Sequence, residues 1–336
     1  MAELVCYTSN MDTEKIYEDA IMQWKKAPLG NISSAFEPIC ETEKDNLLLL
    51  GDNLSMMATL SRQIREGIRT PINLIYMDPP YFSNRDHESR VKIKTPGGES
   101  YIKTQAFSDT WTRAGKTKSR GEALGDYLSM LVPRLIAARE LLAEDGSLWL
   151  HLDRRAVHYA RVMADEVFSS PEGMHAGDSD NLINEVIWSY KSGGSSTKRF
   201  ANKHDTLLFY AKNKRKYKFF PQEEKSYNRG LKPYRFKGVK EYRDDHGWYT
   251  IVNMKDVWEI PMVGRTAAER TGYATQKPEA LLERIVLSCT LSGDICMDPF
   301  GGSGTLAAVC KKLGRKWISI DQNPEAIETA ANRLKR

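Results

Sequence analysis

The segment "ICMDPFGGSGTLAAVCKKLGRKWISID" (295–321) decides the fold class of this 336-residue chain. A short apolar run leads into a glycine-rich turn, a helical pattern follows, and a second apolar run ends at Asp321. The turn matches Gly-x-Gly-x-x-Ala from Gly302 onward, and Asp321 closes the next strand. Strand, tight turn, helix and strand in this order form a ligand-binding unit of an α/β sheet.

The rest of the chain continues this alternation of strands and helices. Strands are predicted within 46–50, 71–77, 147–153, 184–190 and 204–213, and helices within 54–64, 124–146, 156–168 and 278–294. We therefore expect a mostly parallel, doubly wound α/β sheet, which binds ligands at the carboxyl ends of its strands. Four acids fall at such strand ends: Asp52, Asp78, Asp298 and Asp321.

Two kinds of cofactor compete for the glycine-rich turn. The spacing from Gly302 to Asp321 is typical of a dinucleotide-binding unit. Asp298, however, directly precedes the glycines, where a carboxylate would repel a pyrophosphate bound at the helix N-terminus. S-adenosylmethionine carries a sulfonium and an ammonium group instead, which acids favour. The acid therefore favours S-adenosylmethionine, with NAD as the alternative.

The stretch "DPPY" (78–81) ends a buried strand with a rigid acceptor and an aromatic ring. Pro79 and Pro80 restrict the backbone, so Asp78 and the carbonyl after it become two acceptors in fixed positions. Such a pair can accept both hydrogens of an exocyclic amino group and direct its lone pair at a methyl donor. Tyr81 offers a face for base stacking, which contributes about 1–3 kcal/mol per base. The stretch therefore predicts direct methyl transfer to an amine.

Composition limits the class of protein. Hydrophobic residues make up 41% of the chain, charged residues 28%, and the formal net charge is +5. The five cysteines show no metal-ligand spacing, and no run approaches the length of a membrane span, so we expect no metal, no membrane and a cytoplasmic location. Residues 191–250 carry 16 Lys/Arg against 6 Asp/Glu with interleaved aromatic residues, which favours contact with a polyanion.

Two further regions receive weaker predictions. Residues 83–123 are polar and predict a long loop, whose basic side chains could close over DNA. Trp111 within it is either a base contact or a packing residue. His151 and His204 are predicted to be strand residues, and neither a base nor a metal ligand.

The motifs in this order resemble the β-group of amino DNA methyltransferases, the exocyclic-amine methylases of restriction-modification systems. In that group the fold is circularly permuted, with the catalytic motif early and the cofactor loop late. "DPPY" (78–81) is similar to the catalytic motif, and "DPFGGSGT" (298–305) to the cofactor loop. The resemblance covers roughly residues 46–336 outside a target-recognition insert.

The resemblance implies a role for each matching residue. The catalytic residues would be Asp78, Pro79, Pro80 and Tyr81. The S-adenosylmethionine site would comprise Asp52 and Asn53 near the adenine, Thr275 and Lys277 at the methionine end, Asp321 at the ribose, and the loop residues Asp298, Phe300, Gly301, Gly302, Ser303, Gly304 and Thr305. DNA contacts would come from Lys191, Ser192, Lys198, Arg199, Lys214, Arg215 and Lys216.

The implied organisation is a catalytic domain (46–190 and 273–336), a target-recognition insert (191–272) and an N-terminal extension (1–45). The implied activity is methylation of adenine N6 in double-stranded DNA, reached by base flipping. Cytosine-N4 methylation and a non-catalytic DNA-binding protein of the same fold are the alternatives. Family members often form homodimers and act beside a cognate restriction endonuclease. The family usually has Asn after the motif tyrosine, where this chain has Phe82.

Overall fold

The computed structural model describes residues 12–33, 45–82, 119–169, 181–191 and 194–335, together with the backbone of 86–95 and 98–108. Its helices are α1 (Thr13–Lys25), α2 (Asn53–Arg65), α3 (Arg120–Leu141), α4 (Val157–Phe168), α5 (Glu279–Cys289), α6 (Thr305–Leu313) and α7 (Pro324–Leu334). Its strands are β1 (Leu47–Leu50), β2 (Ile72–Met77), β3 (Asp86–Thr95), β4 (Gly98–Ser108), β5 (Leu142–Leu152), β6 (Leu182–Ser189), β7 (His204–Ala211), β8 (Glu223–Tyr227), β9 (Glu241–Asp244), β10 (Gly247–Asn253), β11 (Val257–Glu259), β12 (Ile295–Asp298) and β13 (Lys316–Asp321).

Eight strands form the central sheet in the order β1-β13-β12-β2-β5-β7-β6-β11. The pairs from β1 through β5 are parallel, β7 is antiparallel to both its neighbours, and β11 pairs in parallel with β6. The predicted α/β fold with a mostly parallel sheet is confirmed. The circular permutation stays a prediction from the order of the motifs.

Helices cover both faces of the sheet, which explains the continuous apolar runs of its strands. In β1, Leu47 and Leu49 join the core under α1 to α4, whereas Leu48 joins the core under α5, α6 and α7. The second core also holds the fully buried Trp149 and Trp317. A strand buried on both faces lacks the alternation of polar and apolar residues that marks a half-exposed strand.

The expectation of a loop over 83–123 was wrong. The backbone there forms an antiparallel hairpin of β3 and β4, and α3 begins at Arg120 after the N-cap Ser119. Ser119 and Glu122 form a capping box, a start signal that lay within the predicted loop. Trp111 lies outside the described residues.

The other boundary correction concerns α3 and β5. The helix ends at Leu141, and β5 begins at Leu142, five residues before the predicted strand. Ile72 of β2 pairs with Leu142 and Leu74 pairs with Ser147, so the extra residues form an irregularity in the parallel ladder. Leu142 is thus a strand residue paired with β2, although the spacing of apolar residues predicted a helix there.

The proposed insert contributes partly to the central sheet. β7 and β11 lie within 191–272 yet pair with β5 and β6. β8, β10 and β9 form a separate three-stranded antiparallel sheet. The assignment of 191–272 to target recognition stays a prediction, and the part outside the main sheet centres on 223–253.

The direction of each strand determines at which of two edges of the sheet its connecting segment lies. The segments after β1, β2, β5, β12 and β13 lie at the carboxyl edge, and the 190–203 segment joins them because β6 ends and β7 begins there. The 212–218 segment lies at the opposite edge, where Lys218 N donates to Asp145 O at 3.1 Å. No helix among the described residues is long and apolar enough to cross a membrane.

Replacing Gly146 with alanine is expected to lower the free energy of unfolding by about 1–3 kcal/mol. A Cβ at Gly146 would lie 2.9 Å from Ile72 O and 3.0 Å from both Ala143 O and Asn73 O, all backbone atoms that cannot rotate away. Urea unfolding measures the change. Gly125→Ala is the control, since its Cβ meets nothing within 4 Å and the change should add about 0.5–1 kcal/mol. Equal effects of the two variants would contradict this packing.

Candidate active site

A cleft of about 640 Å³ opens at the carboxyl edge of the central sheet. Ligand pockets commonly have volumes of about 300–1,000 Å³. Most of the predicted site residues line it: Asn53, Asp78, Pro79, Pro80, Tyr81, Thr275, Lys277, Asp298, Phe300, Gly301, Gly302, Ser303, Thr305 and Asp321. The structure therefore brings the "DPPY" stretch and the glycine-rich loop to one cavity, although more than 200 residues separate them in the chain.

The carboxylate of Asp78 is held from two sides. The Tyr81 hydroxyl donates to Asp78 Oδ1 at 2.6 Å, and the Lys277 ammonium donates to Asp78 Oδ2. The Lys277 ammonium also lies 5.1 Å from the centre of the Tyr81 ring. A carboxylate offers about four lone-pair positions, so two stay available toward the cleft. Asp78 is therefore held in place and can still accept further hydrogen bonds.

Phe82 continues the stretch with a strained backbone. Its φ is 58°, in the left-handed region that bulky residues rarely adopt. Its side chain is buried and packs against the ring of Tyr127 at 5.6 Å between centres. Asparagine adopts this conformation more easily, which accounts physically for the residue usual in the resembling family. Here burial of the phenyl ring offsets a strain of about 1–3 kcal/mol.

The glycine-rich loop is shaped by close backbone approach. Gly302 has φ 48° and its N–H donates to Asp321 Oδ2 at 2.8 Å. A Cβ on Gly301 would lie 2.1 Å from Ser319 Oγ and 3.3 Å from Ile320 O, so a larger residue would require the Ser319 hydroxyl to turn away. Gly304, in the left-handed region with φ 71°, is the N-cap of α6 and does not line the cleft. Ser303 and Thr305 are buried beside the guanidinium of Arg333, which donates to Thr305 Oγ1 at 3.0 Å.

Two carboxyl groups, the buried Asp298 and the partly buried Asp321, give the cleft its electrostatic character. Burial raises the pKa of Asp298 well above its usual range, and the neighbouring Asp78 and Asp321 act in the same direction. Phe300 N donates to Asp298 Oδ1 at 2.9 Å, which partly offsets that burial. Burial also raises the pKa of Asp321. Such a pair favours a cationic ligand and disfavours a phosphate.

Asp52 stands at the rim, and its position is explained by an arginine that the sequence analysis missed. Asp52 caps α2 by accepting from Ser55 N at 2.9 Å, its side chain is half exposed, and it does not line the cleft. Arg134 of α3 donates to Asn53 Oδ1 at 2.6 Å and to Asp52 Oδ1 at 3.2 Å. Arg134 lies on a core helix, 81 residues after Asn53 in the chain. No sequence pattern therefore links it to the rim of the cleft.

The segment before α5 supplies the remaining wall. Thr275 has φ 60°, a second strained non-glycine position at the cleft. The preceding turn is held by Gln276, whose Oε1 accepts from Thr271 N at 2.8 Å. The Tyr273 ring lies against Gly302, where a Cβ would approach Cε1 of that ring to 3.5 Å. This wall therefore contacts both the "DPPY" stretch and the glycine-rich loop.

Three further side chains below the stretch were not assigned to the site from sequence. His151, predicted to be a strand residue, is on β5 and fully buried, with Nδ1 3.9 Å from Asp78 Oδ1. Tyr76 and Asp205 contact the same imidazole. The only sequence signal was a histidine within an apolar strand, which by itself fits a packed core residue equally well.

The structure divides the predicted DNA contacts between two edges. Lys191, Lys198 and Arg199 are exposed at the carboxyl edge, where Lys191 pairs with Glu259 at 2.7 Å and Phe200 is 99% exposed. Lys214, Arg215 and Lys216 follow β7 at the opposite edge, away from the cleft. Ser192 lies outside the described residues. No cluster that could hold a metal ion occurs in the part of the chain that the structure describes.

Comparison with known proteins gives matches to enzymes that modify DNA. A family model described as DNA methylase matches residues 72–332. The type II methyltransferase M.HpaI of Haemophilus parainfluenzae is 29% identical over 264 residues, covering 78% of this chain and 68% of that protein. The type II methyltransferase M2.DpnII of Streptococcus pneumoniae is 27% identical over 265 residues, covering 78% of this chain and 82% of its own length.

A solved structure supports the fold alone. The PvuII DNA methyltransferase, described as cytosine-N4-specific, superposes with a TM-score of 0.50 at 16% identity. The alignment covers 84% of each chain. At this identity the similarity extends to the arrangement of helices and strands and carries nothing about the base that is modified.

Asp298→Asn is expected to stabilise the fold at neutral pH. A carboxyl group whose pKa is raised on folding has no effect on stability below the usual value of 3.8; above that pH the unfolded chain ionises first, so the cost to the folded state grows until the pH reaches the raised pKa and is constant beyond it. The asparagine can still accept from Phe300 N. Thermal unfolding between about pH 4 and pH 8 should show a Tm gain that increases with pH, roughly 2–4 °C for each kcal/mol. Asp245→Asn on an exposed side chain is the control, and a gain independent of pH would contradict burial of an ionisable group as the cause.

Proposed function

The chain belongs to the N6/N4 family of DNA methylases, and on that premise we propose that it transfers a methyl group from S-adenosylmethionine to the exocyclic N6 of adenine in DNA. The observation that carries the proposal is the shared cleft. Asp78 and Tyr81 line the same cavity as the glycine-rich loop, Asp298 and Asp321.

The catalytic stretch has the chemistry that an exocyclic amine requires. Asp78 and the Pro79 carbonyl would accept the two amine hydrogens, which draws the nitrogen lone pair out of conjugation with the ring. Asp78 is fixed by Tyr81 and Lys277, so little reorganisation is needed. Correct positioning of two reacting groups supplies much of the rate enhancement in a direct transfer. Bound S-adenosylmethionine would supply the methyl group: the amine nitrogen would bond to the methyl carbon as the carbon–sulfur bond breaks with its electron pair left on sulfur, and the methylated amine would release one proton to solvent.

The cleft residues fit the proposed cofactor. S-adenosylmethionine supplies an electrophilic methyl group on a positively charged sulfur. Asp298 is buried and Asp321 partly buried, with raised pKa values, so a cation would stabilise both in their ionised form, whereas a pyrophosphate would be repelled. We assign Asn53, Thr275, Lys277, Phe300 and the loop from Gly301 to Thr305 to the cofactor, with Asp52 and Gly304 supporting the site from outside it. In this assignment Lys277 has a second role, because it also holds Asp78.

Adenine N6 is proposed over cytosine N4 because position 78 is an aspartate. In the resembling family, aspartate before the two prolines favours adenine, and cytosine-N4 enzymes more often carry serine. Cytosine N4 is the second candidate, because the family to which the chain belongs includes methylases of either amine. Either amine is inaccessible in a stacked duplex, so the base must be flipped into the cleft.

For the duplex we propose contacts at the carboxyl edge. Lys191, Lys198 and Arg199 are exposed there beside the fully exposed Phe200. A positive segment with an exposed ring can contact phosphates and an unstacked base. A homodimer and a cognate restriction endonuclease remain predictions that follow from the family resemblance, and a cytoplasmic location remains a prediction from composition.

Incubation with labelled S-adenosylmethionine and mixed-sequence duplex DNA, followed by nucleoside analysis, tests the function. Label in N6-methyladenine supports the proposal, label in N4-methylcytosine makes cytosine the methylated base, and binding of cofactor and DNA without label would favour a non-catalytic protein.

Asp78→Asn is expected to reduce transfer at least about 100-fold, because one acceptor becomes an amide that can turn its donor to the amine. Calorimetry should show nearly unchanged cofactor affinity, and wild-type transfer by this variant would overturn the mechanism.

The edge assignment predicts different effects of two sets of basic residues. Replacing Lys198 and Arg199 with alanine should weaken DNA binding and lower the slope of log affinity against log salt by roughly 0.9 for each phosphate that the variant no longer neutralises. Replacing Lys214, Arg215 and Lys216 with alanine is the matched control at the opposite edge and should change the slope little. Fluorescence anisotropy of a labelled duplex over a salt series measures both. A larger effect from the second set would place the DNA on the other edge.

A further inference from the structure

A row of polar side chains crosses the central sheet beneath the catalytic stretch. Its members, which we call the polar row, are Tyr76, Asp78, His151, Asp205 and Tyr190. They come from neighbouring positions in the sheet: β2, β5, β7 and the residue after β6. Burying polar side chains in an otherwise apolar layer lowers the stability of the fold unless they form hydrogen bonds with one another.

His151 is the centre of the row. It is fully buried, its Nδ1 lies 2.7 Å from Tyr76 Oη, and its ring contacts the Tyr81 ring at 5.7 Å between centres. The other nitrogen, Nε2, is buried without a hydrogen bond of normal geometry, and a carboxylate oxygen of Asp205 lies 3.4 Å from it. The imidazole therefore forms the wall behind both Asp78 and Tyr81.

Asp205 is an ionised group in a buried position. Burial acts to raise its pKa, yet the neighbouring His151 and then Lys277 and Tyr190 lower that pKa overall. Tyr190 donates its hydroxyl to Asp205 Oδ1 at 3.2 Å. Since an ionised carboxylate only accepts hydrogen bonds, it favours a proton on the imidazole nitrogen that faces it.

The proton on Nε2 decides what Nδ1 can do. A neutral imidazole with its hydrogen on Nε2 presents a bare Nδ1, which accepts from the Tyr76 hydroxyl. Burial raises the pKa of that phenol well above its usual range, so Tyr76 remains a donor. With the hydrogen on Nδ1 instead, that N–H would donate to Tyr76 Oη, and its positive end would lie near the Asp78 carboxylate, since Nδ1 is 3.9 Å from Asp78 Oδ1, too far for a hydrogen bond but close enough for electrostatic attraction.

We propose that Asp205 is a positioning residue that holds His151 in the Nε2–H form, so that the imidazole supports Asp78 and Tyr81 without presenting a polarised N–H beside the Asp78 carboxylate. The inference rests on the proposed function in assigning Asp78 to the substrate amine. It adds a role for a strand outside the parallel set, because Asp205 enters from the antiparallel β7. The row also ends beside the segment proposed to contact DNA, since Tyr190 precedes it and Asp205 follows it in the chain.

Asp205→Asn tests the inference, because its amide can donate to Nε2 and thereby favour the opposite tautomer. In ¹⁵N-histidine-labelled full-length protein, NMR should show the wild-type His151 with its hydrogen on Nε2 and the variant with its hydrogen on Nδ1. The His151 signals are assigned by their loss in His151→Gln. Single-turnover methyl transfer in the variant should fall about 10- to 100-fold, while cofactor affinity and Tm change little. His204→Asn, at the exposed residue next to Asp205, is the control and should change neither readout.

The outcomes separate this inference from the proposed function. An Nδ1–H form or an imidazolium in the wild type overturns the inference, as does a tautomer change in Asp205→Asn without slower transfer. A loss of activity that parallels a loss of Tm and of cofactor affinity also overturns it, since that would be a general structural effect. Absence of methyl transfer to DNA by the wild type overturns the proposed function, and the NMR comparison then still decides whether Asp205 sets the tautomer.

Discussion

The parallel pairing of β2 with β12 is the constraint on which the cleft depends. Cys296 lies opposite Leu74 and Met297 opposite Ile75, so the two strands end at the same edge. Asp78 and Asp298 therefore emerge side by side although one lies early and the other late in the chain. The ion pair of Lys277 with Asp78, 199 residues apart, joins the segment before α5 to this pair of strand ends. Loss of that register would separate the acceptor from the glycine-rich loop.

The cleft concentrates features that disfavour folding. Asp298 is buried with a raised pKa, and Phe82 and Thr275 hold left-handed backbone conformations. The structure offsets these costs locally, through the Phe300 amide at Asp298 and the Tyr127 ring at Phe82. Strain and desolvation at a ligand site are consistent with a pocket preorganised for a cation and an amine. The apolar layers on both faces of the sheet supply the stability that offsets the remainder.

The antiparallel direction of β7 places the two parts of the basic region at opposite edges of the sheet. Its reversal sends 190–203 to the edge that holds the cleft and 212–218 to the other edge. Sequence composition treats both segments alike, because both are rich in Lys and Arg. The direction of one strand thus divides a single charge pattern into a part beside the site and a part remote from it.

The sequence by itself determined the fold class, the strand-end acids and the two motifs that meet in the cleft. These follow from local rules: apolar runs, a glycine-rich turn, and prolines that end a strand. Only the tertiary structure decided which side chains contact those motifs. Arg134 reaches Asn53 from a core helix, and Asp205 reaches His151 from a strand beyond the parallel set. Such contacts depend on strand order and register, which bring together side chains whose separation in sequence carries no periodic signal.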